Sequence, residues 1–154
     1  RSSDLHCEDC SAHHFAETVY QTHQVIILPP VEFIKEFPDE DVTIHIDRMR
    51  LTQVITNFLG NAKKFTSQGH IKLGYFCDKE KKEIHFFVED TGAGIPKEEL
   101  QMIFERFYKR NEFVQGVGLG LAISKVIVEK MNGHIDVQSE VNKGSRFTAV
   151  LPYL

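Results

Sequence analysis

Between residues 50 and 65, Leu51, Val54, Ile55, Phe58, Leu59, Ala62 and Phe65 recur at spacings of three and four. A helix with one buried face requires that spacing, so this stretch predicts the clearest helix in the chain. Elsewhere the period changes to two. Ile84, Phe86 and Val88 alternate with Glu83, His85 and Glu89, which predicts a strand over 83–90 with one face on a core. Residues 70–77 predict its partner, and the charged run 78–82 between them reads as a solvated hairpin loop. Two short strands are expected at 31–37 and 42–47, joined by the turn-rich Pro38-Asp39-Glu40-Asp41. Pro96 suits a first helical position, so a helix is expected from there to about 104. Another runs over 118–131 and stops at Asn132-Gly133. Closing strands at 134–140 and 145–151 flank the turn Asn142-Lys143-Gly144. At the start, Leu5, Ala12, Phe15 and Val19 form a loose apolar stripe that predicts a helix over 3–23, ended by Leu28-Pro29-Pro30.

Strands and helices mix without a strict strand–helix–strand repeat. The expected fold class is therefore α/β, a two-layer α/β sandwich with a mixed, mostly antiparallel sheet and about three helices packed on one face. Residues 1–30 read as an N-terminal helix and linker segment, and residues 31–154 as the main domain.

Composition narrows the partners. The 154 residues are 42% hydrophobic and 26% charged with net charge −4, so a nucleic-acid surface is not indicated. No apolar run is long enough to cross a bilayer, and no signal-peptide pattern is visible. The chain begins on Arg1, which points to an excerpt of a longer protein that could carry a membrane span elsewhere. Cys7, Cys10 and Cys77 make no even-numbered disulfide framework, which suits a reducing compartment. On a helix Cys7, Cys10 and His14 would share a face, and thiolates with imidazole form a zinc-like set. No second ligand pair follows at zinc-finger spacing, so a polar opening helix is the favoured reading.

Four short blocks carry the chemistry. On the long helix Asn57, Asn61 and Lys64 fall within about 60° of one another, beside the apolar stripe. An Asn oxygen is a hard neutral ligand suited to Mg²⁺, and Lys64 offers a positive charge to phosphates. Taken alone, such a strip could equally be an ordinary solvated helix edge. Asp90-Thr91-Gly92-Ala93-Gly94-Ile95 ends a strand in a glycine-rich turn. A carboxylate there can accept from the exocyclic amino group of adenine, where guanine has an oxygen, although aspartate and glycine also favour plain turns. Phe104-Glu105-Arg106-Phe107 reads as core anchorage for one end of the polar stretch 108–115. Lys109 and Arg110 in that stretch could reach a terminal phosphate if it closes over a nucleotide. Gly116-Val117-Gly118-Leu119-Gly120-Leu121 opens an apolar helix, whose unpaired amides and positive dipole end attract anions. It lacks the Lys-Ser/Thr of a Walker loop, and no strand precedes it as a dinucleotide fingerprint requires. Together the blocks describe a Mg·ATP site.

In these residues the chain resembles the catalytic, ATP-binding domain of a two-component sensor histidine kinase, in the superfamily of Bergerat-fold ATPases shared with gyrase and MutL. The likeness runs from about 42 to 152 and includes Asp47-x-x-Arg50-Leu51-x-Gln53-Val54 and Gly144-Ser145-Arg146-Phe147. It implies Asn61 as the Mg²⁺ ligand, Asn57 and Lys64 at the phosphates, Phe65 near adenine or ribose, and Asp90 on the adenine amino group. Gly92, Gly94 and Ile95 would line the base, Gly116, Gly118, Leu119 and Gly120 would open the phosphate-binding helix, and Lys109 stands where the family often has Arg. Hydrolysing members carry Glu four residues before the magnesium Asn; here that position is Asn57, which has no lone pair basic enough to activate water at neutral pH.

The resemblance thus implies transfer of the γ-phosphate to a histidine on a separate dimerisation domain. None of the eight histidines here has the acidic neighbour expected of that acceptor. The implied partners are that domain and a downstream response regulator, with no nucleic acid and no direct membrane contact. The implied state is a cytoplasmic monomeric domain of a parent that can be an inner-membrane sensor. The alternative is a nucleotide-binding regulatory interaction module of a degenerate kinase without phosphotransfer. A serine/threonine kinase of the anti-sigma type ranks lower, because such proteins usually carry an acidic residue at position 57.

Overall fold

A computed structural model describes residues 4–104 and 117–153, with the backbone alone for 117–119. In chain order the elements are β1 (Glu8–Ser11), α1 (Ala12–Gln24), β2 (Val31–Glu36), β3 (Thr43–Ile46) and α2 (Arg48–Phe65). Then follow β4 (Gly69–Asp78), β5 (Glu83–Asp90), α3 (Lys97–Leu100), α4 (Val117–Lys130), β6 (His134–Glu140) and β7 (Gly144–Pro152). Five strands form one sheet in the order β2-β4-β5-β7-β6, antiparallel except for the parallel pair β2–β4. β1 and β3 make a separate two-stranded antiparallel ribbon.

The long helix anticipated from periodicity is α2, and its stripe Leu51, Val54, Ile55, Phe58, Leu59 and Ala62 is buried. It starts at Arg48, two residues before the expected start at 50, because Asp47 caps it, accepting from the Arg50 N–H at 3.1 Å. The other Asp47 oxygen accepts from the His6 N–H at 2.9 Å, which ties the N-terminal segment to the start of α2. Across the layer the stripe meets Leu73 of β4, Phe86 and Val88 of β5, and Phe147 and Ala149 of β7 in one core. Phe58 and Phe147 bring their ring centroids to 5.4 Å. Burying a side chain such as Phe58 contributes about 1.5–3 kcal/mol, so α2 is held hard against the sheet. Any polar residue bordering the stripe is thereby fixed in place.

α4 ends where Asn132-Gly133 predicts, in a Schellman arrangement. Asn132 takes φ 66°, its N–H donates to Glu129 O at 3.0 Å, and the Gly133 N–H donates to Val128 O at 3.0 Å.

Three expectations are corrected. The opening helix does not begin at residue 3: residues 8–11 pair with β3, and Ser11 then caps α1 by accepting from the His14 N–H at 3.0 Å. That strand removes the helical register in which Cys7, Cys10 and His14 would share a face. α1 itself joins the common core through Ala12, Phe15, Ala16, Val19 and Tyr20. The strands at 31–37 and 42–47 exist but do not pair, since β2 lies parallel to β4 and a parallel neighbour needs the crossover that α2 provides. The helix after Pro96 is one turn, α3, followed by turns through 104. Pro96 provides no side-chain cap to extend it.

Candidate functional site

Two ends of one site hang on α2. At its middle, Asn57 donates through Nδ2 to the Gly120 carbonyl at 3.1 Å and to Ser124 Oγ at 3.0 Å. This fastens the polar edge of α2 to the first turn of α4. Asn61 lies one turn further on and is half-buried, and Lys64 is exposed in the last turn. At the end of the helix, Phe65 O accepts from the Ala93 N–H at 3.1 Å. From Asn57 to Phe65 α2 rises about 12 Å. The strip therefore runs from the start of α4 to the turn after β5.

That turn is tightly held. Asp90 ends β5 and is only 7% exposed. Burial pushes its carboxyl above the ordinary value, opposed by hydrogen bonds from the Gly92 and Ser145 backbone N–H groups and by the Thr66 hydroxyl. The Gly92 bond is 2.8 Å long. Thr66 acts on the carboxylate at a geometry that leaves its buried Oγ1 without a proper hydrogen-bond partner. The turn is braced from the closing hairpin as well. Ser139 Oγ accepts from the Ile95 N–H at 2.7 Å, donates to Gly144 O at 3.0 Å and lies 2.7 Å from Ser145 Oγ. The Asn142 N–H donates to Ala93 O at 2.7 Å.

Two glycines are required by close approach. A Cβ on Gly92 would stand 2.3 Å from Phe65 O, and one on Gly144 would stand 1.9 Å from Asp90 O at a φ of +131°. The sequence reading put Gly92 against a flat base. In the structure its close neighbours are Phe65 and Thr66, so the glycine seats the turn on the end of α2.

A helix that carries an Asn-rich edge from a glycine-opened helix to a buried strand-end carboxylate has a counterpart among known proteins. The family described as Histidine kinase-, DNA gyrase B-, and HSP90-like ATPase matches residues 46–154. The chain belongs to this family. Sensor histidine kinase WalK of Bacillus subtilis (strain 168) is 38% identical over 128 residues, 80% of this chain and 21% of that protein. Sensor protein SrrB of Staphylococcus aureus is 44% identical over 110 residues, 69% of this chain and 19% of that protein. The chain spans about a fifth of the length of these relatives. Among solved structures, full-length ShkA in complex with AMPPNP superposes with a TM-score of 0.87 at 28% identity, covering 97% of this chain and 32% of that one. The nucleotide-free catalytic domain of histidine kinase ThkA gives 0.84 at 28% identity, covering 97% of each. The layered arrangement is thus the Bergerat fold of this ATPase family.

The residues present fit the nucleotide such an ATPase takes. Asp90 is a buried acceptor, and beside it the buried Thr66 hydroxyl meets no partner at full hydrogen-bond geometry. That pair offers an acceptor and a donor to one edge of a base. Asn61 offers a neutral oxygen to a cation, and the backbone of Gly118, Leu119 and Gly120 lies in the first turn of α4. Ile95 is 8% exposed and belongs to the core, while Phe65 is partly buried against it. Gly94 is buried in the braced turn. Lys109, Arg110 and Gly116 lie outside the described residues. Sequence reasoning passed over Thr66, Ser124 and Ser139 as site-building groups. Ser124 carried a faint signal, as a lone hydroxyl in the apolar run between Leu121 and Val128. Among the described residues, no helix is long and apolar enough to cross a membrane.

Proposed function

We propose that this chain binds Mg·ATP and acts as the phosphoryl-donor domain of a sensor histidine kinase. The observation that carries the reading is the continuity of one helix, α2, from Asn57 at the start of α4 to Phe65, whose C-cap Thr66 stands beside Asp90. Asp90 accepts from the adenine amino group, with Thr66 as the neighbouring hydroxyl. The first turn of α4 receives phosphate oxygens on its backbone N–H groups, and Lys64 approaches them from the edge of α2. Asn61 would hold Mg²⁺, which when bound would supply neutralisation of phosphate charge. Phe65, Gly92, Gly94 and Ile95 shape the base end. Lys109 and Arg110 are assigned to the terminal phosphate through the sequence resemblance.

The acceptor is a histidine nitrogen on a separate dimerisation domain. It attacks the γ-phosphorus in line; the new N–P bond forms as the bond to the β-phosphate oxygen breaks, and ADP leaves. The domain supplies mainly positioning and charge neutralisation. Asn57 in place of a carboxylate gives water no base, which favours transfer over hydrolysis. A downstream response regulator would then take the phosphoryl group from that histidine.

The test is transfer of ³²P from γ-labelled ATP to a supplied histidine-containing dimerisation domain, with Asn61→Ala as the negative control. Label on the histidine that depends on Asn61 supports the reading. Nucleotide binding with no transfer to any cognate dimerisation domain would replace it with a regulatory nucleotide-binding module.

A further inference from the structure

Asn57 is the best-defined polar side chain at the phosphate end, and its orientation is set by chemistry. The Gly120 carbonyl can only accept, so the atom 3.1 Å from it must be the amide nitrogen. The second hydrogen of that nitrogen is directed to Ser124 Oγ at 3.0 Å. Gly120 and Ser124 are one turn apart on α4, so the amide clips onto the helix at two successive levels. A Cβ on Gly120 would lie 3.5–3.7 Å from Cγ, Oδ1 and Nδ2 of Asn57, so the amide lies flat over that position. Ser124 is 0% exposed, and its buried hydroxyl is engaged by this contact.

We infer that Ser124 is a positioning residue that locks the Asn57 amide with both hydrogens engaged on α4, leaving Oδ1 as the atom Asn57 offers to the site. Asn57 then meets the site as an acceptor. It repels phosphate oxygens and suits a hydrated cation, one helical turn from the oxygen of Asn61. The inference rests on the Mg·nucleotide reading above and refines it, because the sequence resemblance assigned Asn57 to the phosphates. It also gives the first turn of α4 a fixed distance from α2 without any ligand.

The test uses the intact 154-residue chain with Ser124→Ala and the near-isosteric Ser124→Cys, whose thiol is a weak acceptor. The first readout is hydrogen exchange of the Asn57 side-chain amide, followed by ¹⁵N NMR without ligand. The second is ADP affinity with Mg²⁺ titrated from zero. In the wild type the Asn57 amide should exchange more slowly than that of exposed Asn142. Both variants should speed that exchange, and raise the Mg²⁺ concentration giving half-maximal enhancement of ADP binding, by about three- to tenfold, the weight of one hydrogen bond. ADP affinity in EDTA should stay within about twofold, since Ser124 reaches the nucleotide only through Asn57.

Fast exchange in the wild type overturns the lock. An unmoved Mg²⁺ midpoint, or equal weakening with and without Mg²⁺, overturns the role toward the cation while leaving nucleotide binding in place. A wild-type chain that binds no ADP under any condition sinks the nucleotide reading itself, and this refinement with it.

Discussion

The two ends of the site are built by different means. At the base end, position is set by backbone: Gly92, Ala93, Ile95 and Ser145 use main-chain N–H groups, and Gly92 and Gly144 allow contacts that no side chain could enter. At the phosphate end, position is set by one side chain, Asn57, reaching across to Gly120 and Ser124. A backbone-built end admits almost no substitution and should tolerate little movement. A side-chain-built end is adjustable one hydrogen bond at a time. On the proposed reading, base recognition is preorganised in the fold, and the phosphate end is where affinity and metal dependence can be tuned.

Substituting the base end should do the most harm. Gly144→Ala places a Cβ against the Asp90 carbonyl at a backbone angle that L-residues rarely adopt. It should cost about 2–5 kcal/mol of stability, read as a lower urea midpoint, and take adenine binding with it. A midpoint within error of the wild type would mean that the turn is not braced as described.

Next comes Asp90→Asn, which should weaken ADP binding by about 1.5–3 kcal/mol, the range for a charged hydrogen bond, and change how stability depends on pH. The sign follows from linkage. Burial raises the folded-state pKa of Asp90, so its contribution to stability is full below the unfolded value and is lost as pH rises through the raised one. The Asn variant lacks that loss. The stability gap between variant and wild type should therefore move in favour of the variant as pH climbs from the ordinary carboxyl value upward. A gap moving the other way would reverse the assignment of burial as the dominant influence.

Much of this was legible in the sequence, for reasons that differ by element. The α2 stripe and the β5 alternation are period signals, and each is carried by residues within one element. β1 was not legible because Glu8–Ser11 has no alternation and becomes a strand only by pairing with residues far along the chain. The separation of β2 from β3 was hidden for the same reason, since pairing partners are a tertiary fact. At the proposed site, Asn57, Asn61, Lys64 and Asp90 were singled out by residue type and spacing. Thr66, Ser124 and Ser139 did not, because a hydroxyl is common everywhere and gains its role only from what folds against it.

At the phosphate end the effects should be smaller. Lys64→Ala removes an exposed charge and should weaken ATP binding by about 0.2–1 kcal/mol at low salt, fading as salt is added. An effect that persists at 1 M salt would indicate a buried contact instead. Gly120→Ala is the counterpart of Gly144→Ala. Its Cβ meets Asn57 at 3.5 Å, an ordinary contact. The variant should be unchanged or gain about 0.4–1 kcal/mol by stiffening the unfolded chain, measured as a higher melting temperature. A marked loss would show that the phosphate end is as tightly built as the base end.

The most direct test of the account is calorimetric titration of Mg·ADP, with Mg·GDP as control, into this chain and into Asp90→Asn. The account predicts that ADP binds, that GDP binds far more weakly, and that the substitution abolishes the preference for adenine. Absence of ADP binding, or a preference indifferent to Asp90, would contradict it.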